Sequence, residues 1–315
     1  MGGKWRTWRQ AMAEALYGDP GFYRTPGAPA QHFRTAAHTG RTWAATIATL
    51  AEQVDAALGE RADFAIVDIG AGGGELLAEL AAITPNRWSL VGVDVADRPS
   101  GLSPRVDWQR GFPQGLHGVA LAVELLDVVP VNVVEQTIAG PCVVEVDEDG
   151  FERVGDPADP ADVEWMTRWW PLESPGDRGE VGSRRDEMWR DIAGGVAAGV
   201  AVAVDYAADT TRLDGTLTGY RDGRRRLPTP DATMDLTAHV VFESLRQDGD
   251  VLLSQREALR RLGIRATPPQ YHGDGDAYLS ELTKASEAAE LLNPYTLGGF
   301  TWLVHPVAVE LPLLG

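Results

Sequence analysis

The chain has 315 residues, 44% of them hydrophobic and 23% charged, which suffices to bury a full α/β core and excludes a disordered or fibrous protein. Its formal net charge of −18 excludes a general nucleic-acid binder, because neutralising phosphates needs a basic surface. The single cysteine, Cys142, excludes an intrachain disulfide framework and a Cys-based zinc site, and points to a reducing, cytoplasmic setting.

In chain order, Trp5, Trp8, Met12, Ala15 and Leu16 carry helical spacing over residues 4–17. The cluster from Tyr17 to Tyr23 reads as a turn. A second helix is predicted from about Thr39 to Leu58, and residues 1–60 together read as a helical lid. The N-terminal stretch is amphipathic rather than a signal-peptide core. Phe64–Ile69 is an apolar run that meets glycine, the first parallel strand of a core. Glu75–Ile83 is its helix, and Trp88–Val93 the second strand, ending at Asp94. Asp107-Trp108 is the predicted turn after a third strand. Gly118–Val123 ends at Glu124, and Val200–Val204 ends at Asp205-Tyr206.

Strand–helix alternation of this kind predicts a mostly parallel sheet with helices on both faces and a ligand crevice at the carboxyl ends of the strands. Between Val131 and about Arg190 the rhythm breaks into short strands, a Pro/Asp-rich loop and the segment Trp165-Met166-Thr167-Arg168-Trp169-Trp170. The expected organisation is a Rossmann-like core over 61–130 and 195–315, interrupted by a substrate-contacting subdomain over 131–194. Phe300–Val304 reads as the last strand. The most apolar run, Ile192–Val204, is Gly/Ala-rich and too short to span a bilayer, so no membrane association is expected.

The most informative segment is Val67-Asp68-Ile69-Gly70-Ala71-Gly72-Gly73-Gly74-Glu75. A glycine loop between strand and helix lets the backbone approach a ligand closely and aims free N–H groups at it. A dinucleotide fingerprint wants a third glycine where Glu75 stands. The closer spacing of Gly70, Gly72 and Gly74 resembles instead the S-adenosylmethionine (SAM) loop of Rossmann-like, class I methyltransferases. Asp94, 20 residues after Gly74, is placed to accept hydrogen bonds from both hydroxyls of a ribose, a feature that SAM and NAD share. A tight turn with no ligand is the alternative for the loop alone.

Further pieces follow in order: Ala15-Leu16-Tyr17 with Gly21-Phe22-Tyr23; His32-Phe33-Arg34-Thr35-Ala36; Glu124-Leu125-Leu126-Asp127 with Pro130; Ala203-Val204-Asp205-Tyr206; Gly215-Thr216-Leu217 with Tyr220; Asp235-Leu236-Thr237-Ala238-His239-Val240 with Phe242; and Gly298-Gly299-Phe300. Together with the loop they resemble the MidA-type methyltransferases, whose mitochondrial members assist respiratory complex I assembly. The resemblance implies a class I SAM-binding core with an inserted subdomain and methylation of a protein arginine. It further implies SAM contacts from Thr35, Gly70, Gly72, Gly74, Asp94, Asp107, Trp108 and Glu124. The sequence departs from the family pattern at Val123, at His32 and at Ala37-His38, which leaves the methyl acceptor open.

Glu124 and Asp127, three apart after the fourth core strand, share a face if the segment turns helically. They are expected to orient the nucleophile by paired hydrogen bonds; the alternative is a helix cap or a contact to SAM. His239 is a candidate for the active site, either lining it or shuttling a proton, or a structural histidine. Trp165, Trp169 and Trp170 read more readily as helical core than as an aromatic wall, and Arg224-Arg225-Arg226 as a solvated loop. The six histidines show no metal-ligand spacing, so no metal is expected. The expected cofactor is SAM. The expected partner is a methyl-acceptor protein, or a small molecule in the alternative, with a homodimer admitted. A non-catalytic assembly factor on the same fold is the remaining alternative.

Overall fold

A computed structural model describes residues 4–24, 40–211, 214–295 and 297–312. The chain forms an α/β fold in two compact units, one comprising 34–124, 192–204 and 247–315 and the other 1–33, 125–191 and 205–246. This division differs from the expected one. Helix Trp8–Tyr17 falls in one unit and helix Arg41–Ala57 in the other, and residues 205–246 group with 125–191.

The first of these units carries a seven-stranded sheet in the order β14-β15-β10-β5-β2-β3-β4. Its strands are β2 (Ala65–Ile69), β3 (Ser89–Val93), β4 (Val106–Gln109), β5 (Leu116–Val123), β10 (Val196–Asp205), β14 (Val251–Ser254) and β15 (Thr301–Val307). Five of them, β10, β5, β2, β3 and β4, are parallel to their neighbours, so their carboxyl ends share one edge. β14 runs antiparallel to β15, which makes the sheet mixed. The inner strands are rich in buried Val, Ile, Leu and Ala, as strands covered on both faces are.

Helix α2 (Arg41–Ala57) packs against β5 and against α3 (Glu75–Ile83). Two fixtures hold α2. Trp43 meets Trp302 of β15 edge-on, ring centroids 5.7 Å apart. At its other end the buried Asp55 accepts from the Trp88 indole at 3.0 Å and pairs with Arg87. A buried carboxylate is tolerable only with such partners. α7 (Gln255–Arg261) and α8 (Gly275–Leu292) complete the unit.

The other unit is built on antiparallel strands: β1 (Arg6–Thr7), β6 (Asn132–Thr137), β7 (Gly140–Val146), β8 (Glu152–Pro157) and β9 (Arg178–Val181). β1, β7, β6 and β9 lie in that order, with β8 also on β7. A three-stranded sheet adds β11 (Thr218–Arg221), β12 (Arg224–Arg226) and β13 (Asp235–Thr237). The arginine triplet expected in a loop is therefore a strand, although its side chains are exposed as anticipated.

Helix α1 (Trp8–Tyr17) starts after a reciprocal capping box between Thr7 and Gln10, four residues later than its periodicity suggested. Its buried face, Trp8, Ala11, Met12, Ala15 and Leu16, joins Val128, Val133, Val144 and Leu236 in one core. α4 (Pro160–Trp169) has Asp159 as N-cap and proline in its first turn. It buries Trp165 and Met166, which with Trp170 pack on Val134 and Val181, so the tryptophan-rich segment is chiefly core. α5 (Ser183–Gly194) and the short α6 (Phe242–Leu245) follow.

Candidate functional site

The glycine loop joins β2 to α3 at the carboxyl edge of the parallel strands. Gly70, Gly72 and Gly74 have φ of 75°, 55° and 75°, a region that residues with a Cβ rarely adopt. The loop is anchored from within: the N–H groups of Gly70 and Ala71 both donate to the Val93 carbonyl, at 2.8 and 3.3 Å, and Gly74 donates to Ala71 at 2.8 Å. Among the described residues nothing lies within 4 Å of where a Gly72 Cβ would stand.

Asp94, following β3, accepts from the Gly72 N–H at 2.8 Å and from Ala96 N–H at 2.7 Å. Burial raises its pKa, and those backbone donors pull it back. Beneath the loop, Asp68 is buried in β2, its pKa pushed to about 7 first by burial and then by the charges of Asp94 and Glu75. A Cβ on Gly73 would collide with the Glu75 carboxylate. Three carboxyl groups thus surround a loop that would have to cradle a pyrophosphate in a dinucleotide site. They disfavour that anion and favour a ligand whose end at the loop is cationic. The sulfonium and amino group of SAM meet this requirement.

Asp107 and Trp108 lie in β4 itself, not in a turn, because they continue the parallel ladder opposite Val91 and Gly92. Asp107 is exposed. The Trp108 ring is held by its indole N–H on the Ala96 carbonyl at 3.1 Å. It lies across β3 so closely that a Cβ on Gly92 would come within 2.5 Å of it. Trp108 is also 3.6 Å from the Gly74 Cβ position, so it forms a wall beside the loop. Glu124 ends β5 with φ 51°, its N–H on the Val204 carbonyl at 2.8 Å. A non-glycine residue held in the left-handed region costs on the order of 1 kcal/mol or more, and such strain clusters at functional sites. Thr35, His32, Ala37 and His38 lie outside the described residues.

Asp127 and His239 belong to the other unit and share one polar cluster there. The fully buried Asp205 organises the chain entering it: one oxygen accepts from the N–H groups of Leu126 and Asp127 at 3.0 and 3.1 Å, the other from Tyr206 at 2.9 Å. Arg185, 2% exposed, donates to the carbonyls of His239 (2.6 Å) and Asp127 (3.0 Å) and so ties the two candidate segments together. Glu180 accepts from the Thr216 hydroxyl at 2.9 Å, and that hydroxyl accepts from the His239 N–H at 2.8 Å. The His239 ring stacks on Tyr206, centroids 5.7 Å apart.

Asp127 is 7% exposed, and its Oδ1 has no hydrogen-bond partner among the described residues. Burial raises its pKa to about 6 against the opposing pull of Arg185. Nearby Asp235 accepts from the Tyr23 hydroxyl at 2.8 Å, and its pKa is pushed to about 7 by burial and then by Asp127. Tyr23 stacks on Tyr17, centroids 5.6 Å apart, and the Tyr17 hydroxyl donates to the Val128 carbonyl at 3.1 Å.

Sequence reasoning singled out the loop, Asp94, Glu124, Asp127 and His239. It placed Asp205 on the crevice edge, whereas its carboxylate is spent on backbone N–H groups. It passed over Arg185, Tyr23 and Asp235 as site residues. Arg185 sits in a run of charges that looks like a solvated helix face. Asp235 carried one signal, a lone carboxylate opening the apolar run Leu236-Thr237-Ala238.

A family model described as "Putative S-adenosyl-L-methionine-dependent methyltransferase" matches residues 92–256, just over half of the chain. In structure the chain is similar to a Burkholderia thailandensis protein solved bound to S-adenosyl-homocysteine, with 23% identity, a TM-score of 0.81, and 99% of this chain and 91% of that one covered. It is similar, too, to a native crystal structure of a protein of the same superfamily from that organism, with 23% identity, a TM-score of 0.79, and 99% and 90% covered. These two likenesses speak for the fold. No curated protein matches the chain.

Proposed function

The chain belongs to a family of S-adenosyl-L-methionine-dependent methyltransferases, and from that premise we propose that it moves the methyl group onto an arginine of a partner protein. The observation that carries the acceptor reading is the buried Asp127 oxygen that has no partner among the described residues. A guanidinium is planar, always charged and rich in N–H donors, and so suits a desolvated carboxylate. The MidA-type motifs favour the same acceptor, and the lone Cys142 supports a cytoplasmic setting.

SAM supplies an electrophilic methyl group on a sulfonium. Around it, the loop amides and the Asp68, Asp94 and Glu75 carboxyls would hold its amino-acid end, and the second oxygen lone pairs of Asp94 would take the ribose hydroxyls. Asp127 would hold and orient a guanidinium of the acceptor. SAM would supply the methyl group and leave as S-adenosyl-homocysteine, while Asp127 would hold the guanidinium, whose displaced proton would pass to solvent. Arginine is too weakly acidic to lose that proton beforehand, so placement rather than strong base catalysis is asked of Asp127. Placement alone is worth up to about 7–11 kcal/mol of the barrier. Glu124 is read as a second orienting carboxylate and His239 as a wall of the acceptor side.

The test is incubation of the purified protein with methyl-labelled SAM and soluble cell lysate, followed by acid hydrolysis of the protein fraction. Label in methylarginine is expected. Label confined to small molecules would overturn the reading in favour of a small-molecule acceptor, as would labelled lysine in favour of an amine.

A further inference from the structure

Two buried carboxyl groups in one apolar setting are uncomfortable unless something cationic completes them. The Asp127 backbone is fixed by Asp205 and, through its carbonyl, by the N–H of Ala238 at 3.0 Å, which follows β13. Asp235 opens that same strand, is 5% exposed, and is steered by the Tyr23 hydroxyl. Asp127 feels Arg185, which is itself ringed by Asp205, Glu180 and Asp186, whereas the groups acting on Asp235 are Asp127, the Tyr23 hydroxyl and the Leu236 backbone N–H. Arg185 spends its terminal nitrogens on carbonyls of Asp127 and His239, so it does not hydrogen-bond the Asp127 carboxylate.

We infer that Asp235, aimed by Tyr23, is a second acceptor-binding carboxyl that works with Asp127 to hold one cationic group, so that the pair gives up a proton to solvent when that group enters. This rests on the acceptor-side reading of Asp127 above. It adds two residues, Asp235 in contact with the acceptor and Tyr23 as its positioning residue. The raised pKa values of both carboxyls are the electrostatic counterpart of that geometry.

The experiment uses full-length protein carrying 13C-carboxyl-labelled aspartate, saturated with S-adenosyl-homocysteine, with ethylguanidinium chloride as probe. The two signals are assigned by their loss in Asp127→Asn and Asp235→Asn. Ethylguanidinium is expected to lower the titration midpoint of Asp235 by at least one pH unit. Asp235→Asn is expected to weaken probe binding at least tenfold while S-adenosyl-homocysteine still binds, which shows that the variant is folded. Tyr23→Phe should raise the Asp235 midpoint and weaken the probe a fewfold. An Asp235 signal that ignores the probe while Asp127 responds, or no response at either signal, would overturn the inference. If ethylammonium reproduces the effect and methyl label lands on amines, the inference stands and the arginine reading fails instead.

Discussion

The backbone N–H of Gly72 donates a 2.8 Å hydrogen bond to the carboxylate of Asp94, so the middle of the glycine loop is held by the acid that follows the neighbouring strand. In the proposed function the same carboxylate also takes the ribose of SAM. Replacing Asp94 by Ala therefore removes a brace for the loop together with a ligand contact. Hydrogen bonds to a charged group are worth about 1.5–3 kcal/mol, so calorimetry should show S-adenosyl-homocysteine binding weakened roughly 10- to 100-fold. Unchanged affinity would mean that Asp94 braces the loop only.

Gly92 tests the wall made by Trp108. A methyl group at Gly92 would meet the indole at 2.5 Å, and neither β3 nor α3 can yield easily. Gly92→Ala should cost about 1–3 kcal/mol in urea unfolding, as overpacking does. It should also weaken cofactor binding, because the displaced ring borders the Gly74 position. Lost stability with intact cofactor affinity would separate Trp108 from the cofactor site.

Asp205→Asn tests the acceptor side. The carboxylate is fully buried and serves three N–H groups, which an amide oxygen cannot match. A loss of about 1–3 kcal/mol is expected from the donors left unsatisfied. Methyl transfer should fall further than the unfolded fraction accounts for, because the Glu124–Asp127 segment loses its register. Arg185→Met should be costlier still, about 3–5 kcal/mol, since it leaves buried carboxylates uncompensated.

The pH dependence has a defined sign. Asp235 titrates near 7 in the folded protein and near 3.9 when unfolded. The folded state therefore binds more protons between these values, and the contribution is fully present below about pH 4 and lost as pH rises through 7. Asp127, near 6, and Asp68, near 7, act in the same direction. Asparagine mimics the protonated acid, so Asp235→Asn should gain stability relative to the wild type as pH rises from about 4 to 7, by at most about 1.4 kcal/mol per pH unit, and level off above that. A difference that stays flat with pH in urea unfolding would contradict the raised Asp235 pKa.

Much of the core was legible because its signals are local. The apolar run before Gly70, the glycine spacing and the leucine-rich Glu75–Ile83 each act within a few residues, and α3 spans those bounds in the structure. The short strands expected after Val131 carry the same kind of local signal, and β6 and β7 stand there in the structure. What depends on distant pairing was not legible. The Asp107-Trp108 segment was expected to be a turn after the third strand, yet the β3 ladder holds it extended. The two-unit division depends on α1 packing on β6 and β7, far along the chain, while α2 packs elsewhere. Arg185 and the Tyr23–Asp235 pair, 212 residues apart in sequence, carry no local pattern that separates them from surface charge.

The most direct test of the central claim, that the Gly70–Gly74 loop is a SAM site, is calorimetric titration of the wild type and Gly72→Trp with S-adenosyl-homocysteine and with NAD. S-adenosyl-homocysteine should bind the wild type at one site, fail to bind a folded Gly72→Trp, and NAD should give no heat of binding. NAD binding, or S-adenosyl-homocysteine binding that survives Gly72→Trp, would contradict it.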